Sequence, residues 1–329
     1  MLKAFAREAF HSAGGLHLAR ALTRKGLRIL MYHRFPGVRS RAILESCCAH
    51  IRKYYHPVSL TEVARSWRED MSLPPNALAV TVDDGYRDFY EFAEPVFASY
   101  GIPVTVYLVT DFLDGRCWLW ADQIRYAFKH AGVKTAEIVF SPGNSIVVRL
   151  ESLEEREWAA KAVREAAKRM PDEDRVRLIA ELPRLLKTTI PEEPPPEYAP
   201  LAWESVREMA ARGVEFGPHT RTHPILSRIG DDERLRDEID GSRRRIEEET
   251  GRPAIHFCYP NGRCEDVGDR ALERVRESSF QTGVVTVEGL NYPGCNLLML
   301  KRIPADPTYP SRFFQEYLAG LRAGNGSVC

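Results

Sequence analysis

The chain has 329 residues, 44% hydrophobic and 28% charged, an ordinary globular composition with ample apolar material for a core. Lys+Arg and Asp+Glu balance at 46 each, so no bulk charge points to nucleic acid or an acidic polymer. No stretch approaches the roughly 20 apolar residues of a membrane-spanning helix, and the seven cysteines, an odd number, read as free thiols of a reducing compartment.

Residues 1–27 read as an N-terminal helical segment ahead of one domain over 28–329. The segment has no uninterrupted apolar core of a secretory signal, so the expected location is cytoplasmic. Residues 1–28 carry Lys3, Arg7, Arg20, Arg24, Lys25 and Arg28 against a single acid, Glu8. Phe5, Phe10, Leu16 and Leu22 are interleaved, with Gly14 and Gly15 interrupting. Two readings stay open: peripheral contact with an anionic membrane surface, or packing against the end of the main domain.

Strand-like runs alternate with helical patterns, as in parallel βα units. Residues 28–32 and 77–82 read as strands. A helix with an apolar face from Phe89 to Tyr100 follows, with Pro95 as a potential kink, and then a strand over 102–109. Residues 111–200 look different and read as an insertion beside the active site. They contain a charged helical segment over 153–187 and a proline-rich linker over 191–200. The βα pattern resumes with a helix over 202–212, a strand over 214–217, a charged helix over 231–250 capped by Asp231 or Asp232, and a strand over 254–259. Chemically interesting residues follow strand ends, where βα barrels and open α/β folds build their sites.

Three clusters stand there. In Thr81-Val82-Asp83-Asp84-Gly85 one carboxylate can bind a cation while its neighbour activates water, although Asp-Asp-Gly is also a common turn. In His219-Thr220-Arg221-Thr222-His223 two imidazoles four apart share a face if the backbone makes one helical turn. Neutral imidazoles plus a carboxylate suit zinc; two surface histidines are the plain alternative. Phe257-Cys258-Tyr259-Pro260-Asn261-Gly262 is a strand end and turn that can aim backbone N–H groups at an oxyanion.

Together the clusters resemble the NodB-homology polysaccharide deacetylases, carbohydrate esterase family four. Their first motif is usually T-F-D-D-G, here TVDDG, and their second H-[ST]-x-x-H, here HTRTH. The resemblance implies an α/β fold, a distorted (β/α) barrel with a largely helical insertion, and removal of acetyl groups from N-acetylated sugars. It implies a divalent metal, zinc before others, on Asp84, His219 and His223. Asp83 would be the general base and a backbone donor near Asn261 the oxyanion partner.

Two departures matter. The arginine often found in the third motif is replaced by Cys258, and no histidine follows His256 to supply the late acid. The chain is more similar to the branch with an early Tyr-His pair, here Tyr32-His33. In that branch the early histidine, here His33, can serve as acid, against the plain alternative of a packed strand-end histidine; Arg302 can replace the missing arginine beside Asp83 or be a surface cation. Trp118, Trp120 and Tyr259 are candidate sugar contacts, although tryptophans are more often core. The expected partner is an N-acetylated glycan or carrier-linked sugar in the cytoplasm. An amidohydrolase acting on a small cyclic amide, or an inactive glycan-binding member of the fold, are the competing readings.

Overall fold

The computed structural model describes residues 14–36, 38–307 and 311–321. Eight parallel strands form the main sheet: β1 (Arg28–Tyr32), β2 (His56–Pro57), β3 (Ala77–Val82), β4 (Val104–Leu108), β7 (Glu215–Pro218), β8 (His256–Cys258), β9 (Thr282–Glu288) and β10 (Leu300–Pro304). The intervening β5 (Thr135–Ser141) and β6 (Asn144–Arg149) pair only with each other. The order is β7-β4-β3-β1-β10-β9-β8; short β2 pairs with the first two residues of β3 on the edge that β4 uses farther along. β1, β3 and β4 are buried at every residue, as expected of parallel strands covered on both faces.

The sheet curls into a nearly closed barrel whose seam lies between β7 and β8. A Cβ added at Gly217 would fall 2.0 Å from the His256 carbonyl oxygen, so only glycine lets the two backbones approach there. The expected α/β barrel is the fold observed.

Several elements differ from the sequence reading. The apolar helix after β3 is a π turn, Phe89–Ala93, running into an α-helix, Glu94–Ser99. Pro95 sits in the first turn of that helix, where its missing N–H costs no helical bond, and the wide turn before it absorbs the break. The segment 153–187 is two helices, Leu153–Ala167 and Asp172–Leu186, divided at Pro171. The antiparallel β5–β6 hairpin was not anticipated. With these helices and helix Trp120–Lys129 it encloses a separate apolar cluster including Trp120, Phe128, Ile138, Val148 and Leu182.

The 191–200 stretch is tied to the barrel: the Arg87 N–H donates to the Ala199 carbonyl (2.9 Å) and the Leu201 N–H to the Gly85 carbonyl (2.8 Å). The charged helix over 231–250 is interrupted by a π turn, Asp237–Gly241; Asp231 caps it and Gly251 ends it with φ 64°.

Residues 1–13, with much of the basic apolar set proposed for membrane contact, lie outside the described residues. Of the remainder, helix Gly15–Leu22 buries Ala19 and Arg20 and exposes Leu18 and Leu22. The Arg28 guanidinium donates to the Leu318 carbonyl (2.6 Å) and the Gly26 carbonyl (2.7 Å). No helix among the described residues is long and apolar enough to cross a membrane. Cys47, Cys48, Cys117, Cys258 and Cys295 are free thiols, whereas Cys264 is disulfide-bonded, which corrects the expectation of free thiols throughout.

Candidate metal and catalytic site

The three motif turns meet at the C-terminal ends of β3, β7 and β8, in a cleft of about 480 Å³. Successive strand residues face opposite ways. The turn at Asp84 (φ 75°) and Gly85 (φ 81°) breaks that alternation, and both Asp83 and Asp84 line the cleft.

The His219–His223 segment is not a helical turn. It is a bend with Thr220 (φ 66°) and His223 (φ 60°) in the left-handed region, a costly backbone that its surroundings must impose. Thr220 Oγ1 accepts from the His223 N–H (3.0 Å). Buried Glu238 accepts from the N–H groups of Arg221 (2.8 Å) and Thr222 (2.9 Å). Trp120 Nε1 donates to the His223 carbonyl (3.0 Å).

The outcome is a converging donor set. His219 Nε2 and His223 Nε2 stand 3.2 Å apart, and 3.6 and 3.5 Å from Asp84 Oδ1. Burial lowers both imidazoles, His219 to about 4, which keeps them in the neutral form that ligates metals. His219 Nδ1 is bonded to the Cys258 carbonyl (2.8 Å), which fixes Nε2 toward the cluster. Burial, and next the charge of Asp83, push the Asp84 carboxyl up; a cation is the partner that would reverse this. These residues could therefore hold a divalent metal. Asp83, His219 and Cys258 also lie close enough for a ligand set. That set fits less well, because both Asp83 oxygens are engaged by Arg302, and burial pushes the Cys258 thiol far above its usual range.

Arg302, fully buried on β10, grips Asp83 with two parallel hydrogen bonds of 2.7 and 2.8 Å. Its Nε donates to the Val285 carbonyl (3.0 Å), and Nη1 also reaches Thr81 Oγ1 (3.1 Å). A register shift between β9 and β10 lies beside it. Burial alone would raise the Asp83 carboxyl, but the Arg302 charge overrides it and holds the group well below the usual carboxylate range.

His33 Nε2 stands 3.7 Å from Asp83 Oδ2, with its side chain half-open to the cleft. Its imidazole is lowered by enclosure, against the opposing pull of Asp83. The Asn261 amide donates to Asp266, so its side chain is engaged away from any oxyanion role, and its φ of 59° shapes the turn. Tyr259 and Trp120 line the cleft while mostly buried. Trp118 is not part of that lining; its Nε1 donates to the Glu192 carbonyl (3.0 Å).

The sequence reading missed Glu238, whose only trace was one acid in a charged helix. It also missed the basic wall of the cleft, formed by Arg34, Arg125, Arg164, Lys168 and Arg263, because those residues come from four distant segments.

Over 70 residues, 21% of this chain and 10% of the relative, the chain is 33% identical to the poly-beta-1,6-N-acetyl-D-glucosamine N-deacetylase of Escherichia coli (strain K12). Over 109 residues, 32% of this chain, it is 27% identical to the putative polysaccharide deacetylase YxkH of Bacillus subtilis (strain 168), spanning 39% of that protein. The chain thus matches only a minor part of either relative's length. Two solved structures share the fold, each with a TM-score of 0.57, 18% identity and 90% of this chain covered. They are the Streptococcus pyogenes deacetylase PplD in complex with acetate, 99% covered, and IcaB from Ammonifex degensii, 97% covered. The profile of the polysaccharide deacetylase family matches residues 70–282, a span that contains the Asp83-Asp84 turn, His219, His223 and the Asn261 turn. This chain belongs to the polysaccharide deacetylase family.

Proposed function

We propose that the chain is a metal-dependent hydrolase that removes acetyl groups from N-acetylated sugars of a polysaccharide or glycolipid precursor, and that it falls in the branch marked by the early Tyr32-His33 pair. The observation that carries this reading is the convergence of Asp84, His219 and His223 beside an ionised, arginine-held Asp83.

A divalent cation on those three residues, with zinc suited to one carboxylate and two imidazoles, would supply Lewis acidity and a water more easily deprotonated. Asp83 takes the proton of the attacking water. Its bonds from Arg302 occupy one lone pair on each oxygen, so Oδ2, which faces His33, can still accept. A backbone N–H at the Asn261 turn faces the oxygen that gains charge as water adds to the acetyl carbon. The proton taken by Asp83 passes to His33, 3.7 Å away, which delivers it to the sugar nitrogen as the C–N bond breaks, because an amine anion is too poor a leaving group. The products are acetate and the free amine. Trp120 and Tyr259 are the aromatic contacts assigned to the sugar.

The test pairs metal analysis with acetate release from a panel of N-acetylated glycans and carrier-linked sugars. Protein purified without chelator holds about one equivalent of metal, and changing His219 and His223 together to Ala removes it. Asp83→Asn keeps the metal and loses about 10²–10⁴-fold in turnover. Full metal in the double variant, or near-normal turnover in metal-loaded Asp83→Asn, refutes the assignment.

A further inference from the structure

A second cavity, of about 510 Å³, adjoins the catalytic cleft, and the two share the side chains of Arg125 and Arg164 as a common wall. Arg125 comes from helix Trp120–Lys129 and Arg164 from helix Leu153–Ala167. Lys168, one turn beyond Arg164, faces the catalytic cleft. The second cavity continues over Leu153, Ala160 and Tyr198, with Lys129, Arg156 and Lys161 and one acid, Glu157, around it.

The charges at the junction are unevenly matched. Arg125 is paired with Asp122 (2.5 Å). Glu165 serves two cations, Lys168 (2.8 Å) and Arg263 (4.0 Å). The Arg164 guanidinium makes neither an ion pair nor a hydrogen bond among the described residues, although it is partly buried and feels the charges of Asp122 and Glu165. Burial first, and next the like charge of Arg125, act against its charged form. A partly desolvated guanidinium beside another cation, with no acceptor bonded to it, is favoured by an anionic ligand that completes it. Arg125 and Arg164 together offer planar forks that match phosphate oxygens.

We propose that this junction is a phosphate subsite, and that the substrate is an N-acetylated sugar joined through a phosphate or diphosphate to a carrier. The sugar would occupy the metal cleft, the phosphate would lie against Arg164, Arg125 and Lys168, and the carrier would run into the second cavity. This deepens the deacetylase reading and rests on it for the position of the sugar.

The test measures binding to the full-length, metal-loaded chain by calorimetry. The probes are UDP-N-acetylglucosamine, farnesyl-diphosphate-linked N-acetylglucosamine, the neutral N-acetylglucosamine trimer and inorganic phosphate. At least one diphosphate-linked sugar binds about tenfold or more tighter than the trimer, the scale of one charge-assisted hydrogen bond, and the preference shrinks with salt. Arg164→Gln removes the preference, and Arg164→Lys restores part of it. The stronger of the two diphosphate-linked probes identifies the carrier as nucleotide or lipid. Circular dichroism checks that the variants fold; if Arg164→Gln does not, Lys168→Gln replaces it with the same expected loss.

Equal binding of the trimer and both diphosphate-linked sugars overturns the proposal. So does a preference untouched by the variants, or inorganic phosphate binding as tightly as the sugar conjugates. Acetate release is scored separately. A phosphate preference without acetate release from any probe would count against the deacetylase reading and leave the subsite standing.

Discussion

Arg302→Met tests how the buried Asp83 carboxylate is maintained. Asp83 is 1% and Arg302 0% exposed, joined by two hydrogen bonds of 2.7 and 2.8 Å. The variant keeps much of the side-chain volume but leaves Asp83 as an unmatched buried acid and the Val285 carbonyl without the Arg302 Nε–H. Removing one partner of such a pair costs about 3–5 kcal/mol, whereas removing both charges costs far less. Urea unfolding at pH 7, with all proteins stripped of metal so that ligand binding does not bias the comparison, should show a loss of that size for Arg302→Met. The double variant Asp83→Asn/Arg302→Met should recover about 2 kcal/mol or more of it. With the guanidinium gone, burial is no longer offset by its main opponent and the Asp83 carboxyl rises, so the acid limb of kcat/KM moves to higher pH in the metal-loaded enzyme. A loss below about 1 kcal/mol, no recovery in the double variant, and an unmoved acid limb would refute the reasoning.

His33→Ala should reduce hydrolysis of N-acetyl amides far more than that of activated acetyl esters, whose leaving groups need little protonation; equal losses on both would favour a structural role. Gly217→Ala should cost about 3 kcal/mol or more, because its Cβ meets the His256 carbonyl at 2.0 Å and must open the seam two residues before His219; unchanged thermal unfolding would show that the seam is not tight. His50, beside Tyr54 and Tyr55, is lowered to about 4, by burial first and then by Arg20 and Lys53. The folded state therefore holds fewer protons on it than the unfolded chain, and the associated stability, complete above about pH 6.5, is lost as pH falls through about 4. His50→Phe should shrink the drop in stability between pH 7 and pH 4; an equal drop in both proteins would place the acid sensitivity elsewhere.

Much of the site was legible before any coordinates because its residues are contiguous or closely spaced. TVDDG and HTRTH each fit within five positions, and the strands that precede them, residues 77–82 and 214–217, are short apolar runs ending in turn residues. Period and punctuation suffice for such elements, and the boundaries of β1 and β3 read from the sequence match the structure. The Pro95 break and the division at Pro171 were harder. A proline announces that a helix is disturbed, but whether the chain kinks, forms a π turn or starts again depends on what packs around it.

What only the tertiary structure decided lies across long sequence distances. Arg302 stands 219 positions from Asp83, and its link to the carboxylate follows from β10 lying between β1 and β9 in the barrel. The left-handed bend at Thr220 and His223 is set by Glu238 and Trp120, from two other helices, and not by local propensity. Arg125 and Arg164 meet because the helices of the 111–200 segment pack on each other. Sequence patterns encode local periodicity and turn chemistry; the pairing of buried charges follows from strand order and helix packing, which bring together residues that no local window contains.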